Sequence, residues 1–182
     1  MAPNGLTDNA LANALKELMK TNPFNKITVK MISDECGVTR HTFYNHFEDK
    51  YHLLRWVYEK DLTNALESNY TLDKWKKGIE LVIDYTYEHH VICANACKNV
   101  ERDYMEPFLY RTFNKAVSLV IKDIMTIQKR DDIDKEAIAS FFAYGLTGEF
   151  IHWIYSGFKE DKEALINRVF RILDHAVTSM GS

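Results

Sequence analysis

The stretch Thr28–Leu54 reads TVKMISDECGVTRHTFYNHFEDKYHLL. Two short helical segments are bent about Cys36-Gly37-Val38, and a longer one follows. Thr28, Thr39 and Asp49 each stand where a short polar side chain caps a helix start. Gly37 stands where a left-handed residue ends a helix without a Cβ penalty. This is the build of a helix-turn-helix, whose second helix lies in the DNA major groove.

A helical wheel of the third segment, Thr39 to Phe47, sorts its side chains. Phe43 and Phe47 are four apart and share one face. Ile32 and Cys36 from the preceding helix, with Val38 of the turn, point to the same side and clamp the two helices. His41 and Asn45 fall on the opposite face with Thr42 beside them, where they can offer hydrogen bonds to base edges. Arg40 is long enough to reach a base or a phosphate, and Tyr44 sits on the flank near a phosphate. Lys50, with the N–H groups opening the fourth helix, and Thr28, opening the second, suit phosphates as well. The plainer alternative is a helical hairpin with a polar outer face.

Residues 11–56 resemble the TetR family of bacterial transcription regulators. The family pattern sets an Ile, a Gly-Val turn, Ser or Thr, an aliphatic or aromatic residue, Tyr, Phe and a Lys. This chain supplies Ile32, Gly37-Val38, Thr39, Phe43-Tyr44, Phe47 and Lys50. The resemblance implies that Thr39, Arg40, Tyr44, His46 and Lys50 contact DNA, mostly its backbone. His41 departs from the family, which often has Gly there. The wording Thr42-Phe43-Tyr44-Asn45-His46-Phe47 is similar to the subgroup that includes regulators of dihydroxyacetone kinase operons.

Outward from the motif the chain reads as all-α, about nine helices. Hydrophobic residues are 46% of 182, and only seven Gly and three Pro occur, so a packed helical core is expected. Asp8 is placed to cap a first helix, stopped near Thr21 by Asn22-Pro23. A fourth helix runs from Lys50 to about Leu66, and Asn69–Asp73 reads as a linker. A helix over about 72–90 and a short irregular helical piece over 92–105 follow. Pro107 is placed to open the next helix, to about Lys129, and Lys129–Asp132 is a loop. Asp134 and Asp161 can cap the last two, ending near Gly157 and Met180. This divides the chain into a three-helix helix-turn-helix DNA-binding domain, 1–50, and a helical ligand-sensing and dimerisation domain, 51–182, connected by the helix over about 50–66.

Charge does not announce a nucleic-acid partner. The formal net charge is −3, and the first 66 residues hold eight Lys+Arg against eight Asp+Glu. Affinity for double-stranded DNA must come from where charges sit. Three cysteines, Cys36, Cys93 and Cys97, fit a reducing compartment. The start lacks a signal peptide, and no apolar run approaches the ~18 residues of a membrane span. A cytoplasmic protein with no membrane partner is expected.

TetR-like proteins are usually homodimers through their last two long helices, which here cover about 134–157 and 161–180. Both carry wide apolar faces, and Gly145 and Gly148 permit close approach. A two-fold dimer implies a palindromic operator. Tyr85, Tyr87, His89, His90, Tyr104, Phe108, Tyr110 and Phe113 are either plain core or the lining of a small-molecule inducer pocket; a regulatory protein can act instead. Cys93 and Cys97 are read as buried helical thiols rather than zinc ligands, which need about four groups in closed geometry. Glu149-x-x-His152 has di-iron spacing but lacks a second pair. No cofactor and no enzyme signature is expected. The rival classes are a protein-interaction adaptor that has lost DNA binding and a small all-α enzyme.

Overall fold

The computed structural model describes residues 4–63, 69, 71, 73–100, 102–128 and 134–180. Nine α-helices lie among the described residues: α1 (Asn4–Thr21), α2 (Val29–Cys36), α3 (Arg40–Tyr44), α4 (Lys50–Tyr58), α5 (Trp75–Glu88), α6 (His90–Asn99), α7 (Arg102–Gln128), α8 (Lys135–Tyr155) and α9 (Lys162–Met180). A 3₁₀ turn, Phe24–Lys26, precedes α2, and a π turn, Glu59–Thr63, continues α4. No strand occurs among these residues, as the all-α expectation requires.

Local chemistry sets most helix starts. Thr28 Oγ1 accepts from Met31 N, Thr39 Oγ1 from Thr42 N, Asp49 Oδ1 from His52 N and Asp134 Oδ1 from Ala137 N. Asp161 Oδ1 likewise accepts from Glu163 N and Ala164 N. Each satisfies a donor that the first helical turn leaves without a partner. Gly37 ends α2 at φ 71°, in the left-handed region.

Four expectations are corrected. Asp8 is not a cap: α1 begins a turn earlier at Asn4, and the Asp8 carboxylate meets His46 Nδ1 at 2.7 Å. The third helix stops at Tyr44, so Asn45 is its C-cap rather than an interior residue. The piece over 92–105 is not irregular: α6 is a regular helix to Asn99, and α7 has started by Arg102. Pro107 lies inside α7 rather than at its first position. A proline there removes one intrahelical bond. The long packing of α7 along α8 supplies the compensating contact. The predicted extension of the fourth helix to Leu66, the linker residues Tyr70 and Leu72, and the loop Lys129–Asp132 lie outside the described residues.

α1 packs on α2 and α4, and α3 packs on α2. Leu11, Leu15, Phe24, Ile27, Ile32, Phe43 and Leu53 are almost fully buried there. The same apolar cluster runs on without a break through Ile92, Ala96, Phe113, Phe150 and Ile154. α6 is the element between: it packs on α1 on one side and on α8 on the other. α9 lies on α5, where Lys76–Asp174 and Lys162–Asp84 ion pairs (2.7 and 2.6 Å) flank a buried group of Ile83, Trp153, Leu165 and Val169. The turn between α8 and α9 is fastened by Arg168, which bridges Glu149 and Glu160 (2.6 and 2.8 Å). Glu149 is thereby committed to an ion pair.

Candidate nucleic-acid interface

α3 has five residues, too few to be stable alone. Its place is set by Phe43, fully buried, and by Phe47, which packs edge-on against Trp56 and His52 of α4. With that face anchored, the other face is fixed in solvent. Arg40, His41, Tyr44 and Asn45 are exposed and Thr42 is half-buried. Thr42 Oγ1 lies 3.0 Å from Thr39 Oγ1, so the two hydroxyls hold each other at the helix entrance. His41, Thr42 and Asn45 thus share one solvent face with Arg40 and Tyr44 beside them. Thr28, at the start of α2, is exposed as well.

Two further expected DNA contacts occupy different places. His46 does not stand open on this face. Its ring bonds to Asp8 and its side chain is only 16% exposed, so it ties the end of α3 to α1. Lys50 reaches back rather than outward. Its Nζ donates to three backbone carbonyls, Phe24 O (2.9 Å), Asn25 O (3.2 Å) and Ile27 O (2.8 Å). An ammonium has three protons, and here each has an acceptor. The cation also lies 4.8 Å from the Phe24 ring centroid. Burial pulls the Lys50 pKa down, opposed by the neighbouring Asp49 charge. In this arrangement Lys50 closes the turn Phe24–Lys26, and a phosphate contact would require giving up a carbonyl. Lys50→Met is therefore expected to lower unfolding stability by about 1–3 kcal/mol, the usual cost of stranding partly buried polar groups. It should leave the salt slope of DNA binding unchanged. A slope reduced by about one unit, at unaltered stability, would return Lys50 to the phosphate contacts.

Sequence reasoning missed the side chains that join the reading unit to the rest. Asp61, in the π turn, accepts from Lys16 of α1 (2.5 Å) and from Tyr85 of α5 (2.7 Å). Burial alone would raise the Asp61 carboxyl; the bonds from Lys16 and Tyr85 and the charges of Lys16 and Lys60 outweigh it and hold it low. Asn95 of α6 donates to Met19 O (2.6 Å) and Asn22 O (2.7 Å) and accepts from Phe24 N (2.9 Å). No local pattern flags these contacts, because the partners are 24 to 76 residues apart in the chain.

The aromatic residues of the middle helices do not converge on one cavity. Tyr85 is bound to Asp61, Tyr104 packs on Tyr51, Tyr110 stacks on Tyr144, and Tyr87 lies against Trp153 and Phe158. Two apolar cavities near Phe113 and Phe108 hold about 20 Å³ each. A larger open cleft, about 410 Å³, lies between α6, α7 and α8 and is lined by Cys97, Met105, Tyr144, Thr147, His152 and Tyr155, among others. Among the described residues no three His, Cys, Asp or Glu side chains gather as a metal site would require. Among the described residues no helix is long and apolar enough to cross a membrane.

Comparison with known families settles the class. The profile described as bacterial regulatory proteins, tetR family, matches residues 11–57, and that described as transcriptional regulator C-terminal region matches residues 73–175. The chain belongs to the TetR family. This TetR-family regulator is 30% identical over 127 residues to the HTH-type dhaKLM operon transcriptional activator DhaS of Lactococcus lactis subsp. lactis (strain IL1403). That match covers 70% of the chain and 65% of the relative, so the chain spans just under two thirds of the relative's length. Among solved structures it resembles a dihydroxyacetone kinase operon activator, DhaS, at TM-score 0.79 and 23% identity, covering 97% of this chain and 99% of that one. It also resembles the fatty acid degradation regulator FadR of Bacillus halodurans (TM-score 0.64, 12% identity, 92% and 94% covered) and RolR bound to resorcinol (0.58, 16%, 98% and 94%). These structural likenesses show a shared fold. Both the family expectation and the resemblance to regulators of dihydroxyacetone kinase operons agree with them.

Proposed function

We propose that this TetR-family regulator binds a palindromic operator as a homodimer and that a ligand or partner protein modulates its affinity. The helix-turn-helix lies in residues 1–50, and residues 51–182 sense and dimerise. α3 enters the major groove with His41, Thr42 and Asn45 toward base edges, while Thr28, Thr39, Arg40 and Tyr44 face the backbone. The observation that carries this reading is the polar face of α3 held in solvent by a fully buried Phe43. Operators of the dihydroxyacetone kinase type, named for the 30% identical relative, are the first sequences to try.

The dimer surface is assigned to α8 and α9. Phe141 is 75% exposed, and Tyr144 and Tyr155 of α8 and Ile172 of α9 are more than half exposed. Gly145 and Gly148, also exposed, add no side chain between approaching helices. Such a run of large apolar groups suits an interface between copies. The 410 Å³ cleft opens beside the same helix and has room for a small effector. A two-state mechanism follows, in which the occupant prefers one spacing of the two reading heads.

Asn45→Ala tests base readout. Its expected cost is about 1–3 kcal/mol at one or two base pairs of a selected operator, with other positions unaffected. A uniform loss at every position would place Asn45 on the backbone. Failure of the unaltered protein to bind any duplex at low salt would remove the function itself and leave the adaptor reading.

A further inference from the structure

The side chain of Asn95 reaches from the sensing region into the backbone of the reading unit. Its amide nitrogen donates to Met19 O and Asn22 O, where α1 has run out of intrahelical donors. Its oxygen accepts from Phe24 N and from the Asn99 side chain (3.0 Å). A carboxamide has two N–H donors and two acceptor lone pairs, and all four are used. The acceptor of Phe24 N is thus on α6, while Phe24 O accepts both from Ile27 N and from Lys50, the first residue of α4. The turn Phe24–Lys26 is held from both sides and leads directly to Thr28, the cap of α2. α6 is itself held at its other face, where Tyr155 of α8 donates to Cys97 O (2.6 Å). Other contacts also cross between the two units, notably Asp61–Tyr85 and Tyr51–Tyr104. They attach to α4 and its continuation, and neither bonds to the backbone leading into α2.

We propose that Asn95 is the positioning residue that locks the helix-turn-helix to α6, and so sets the distance between the two reading heads of the dimer. The proposal rests on the dimeric DNA-binding reading above. Rigid attachment matters because a palindrome fixes the half-site spacing. Heads that cannot swivel reject a wrong spacing, whereas loosened heads adapt to it at an entropic cost spread over all spacings.

The test uses the full-length chain. A duplex library is first selected with the unaltered protein, and the half-sites of the winning operator are then moved apart or together by one base pair. The unaltered protein is expected to lose at least about tenfold in affinity per step, as a rigid pair of heads must. Asn95→Ala should reduce that penalty to about threefold or less, with affinity for a single half-site unchanged and the dimer intact. Asn95→Asp keeps the acceptor for Phe24 N but has no N–H for Met19 and Asn22, and should behave in the same way. Asn99→Ala removes only the bond from Asn99 to the Asn95 oxygen, leaves those to Met19, Asn22 and Phe24, and should keep the full penalty. Spacing discrimination surviving in both Asn95 variants overturns the proposal, even if their melting temperatures fall. A selection that yields no duplex overturns the DNA-binding reading first, and one that yields only single half-sites overturns the dimer.

Discussion

Phe141→Glu is expected to turn the proposed dimer into a monomer and to lower operator affinity by about 10²–10⁴-fold, the advantage that a linked second head confers. Phe141 is 75% exposed on α8, so within its own protomer it contributes little burial and the variant should fold as well as the parent. In a dimer built on α8 and α9 the same ring becomes buried. Truncation of buried aromatic anchors of this kind commonly costs 2 kcal/mol or more, and a carboxylate adds its own desolvation. Sedimentation would give the mass and a duplex titration the affinity. A variant that still sediments as a dimer would move the interface away from this face. One that is monomeric yet binds the full operator undiminished would show that a single head suffices.

Phe43→Ala carries the largest expected effect on stability, about 3–5 kcal/mol. The ring is completely buried and touches Phe47 and Tyr44, with centroids 6.0 and 5.6 Å apart. It is the one fully buried side chain of α3, and so short a helix has no other means of staying docked. Losing it empties buried space between α3 and the core it packs on and frees His41 and Asn45 from their common face. Urea unfolding would measure the loss, and duplex binding should fall for every sequence alike. A cost under about 1 kcal/mol would mean that the site collapses to fill the gap, and that something other than Phe43 orients α3.

What was legible in the sequence was local. Thr28, Thr39, Asp49, Asp134 and Asp161 cap as read, because each bond spans two or three residues. Gly37 turns as read for the same reason. The burial of Phe43 and Phe47 follows from a spacing of four on one helix. Asp8 failed because its partner, His46, is 38 residues away, and a carboxylate near a helix start satisfies the capping rule whether or not it caps. Lys50 likewise has partners that the sequence does not flag. Its position in the motif suggests a phosphate, but three carbonyls 23 to 26 residues upstream offer a lysine the same electrostatics from inside the protein. Pro107 shows long-range packing outweighing a local rule, with α8 holding α7 helical through the proline. The aromatic residues of the middle helices have helical spacing but no shared face, since they lie on three different helices. Asn95 carried no signal, since one asparagine among many polar helical residues is unremarked until the end of α1 is seen beside it.

The sulfurs offer a clock for the molecule's breathing. Cys93 and Cys97 are buried on α6, and burial pushes both thiols up to about 12. Alkylating reagents attack the thiolate, so at neutral pH both sulfurs should react slowly, Cys97 from the open cleft it lines and Cys93 only when α6 parts from its neighbours. Cys36, on α2, is only half covered and should be tagged first. The lag between the first tag and the last, followed by mass, would time how often the core opens relative to the reading head.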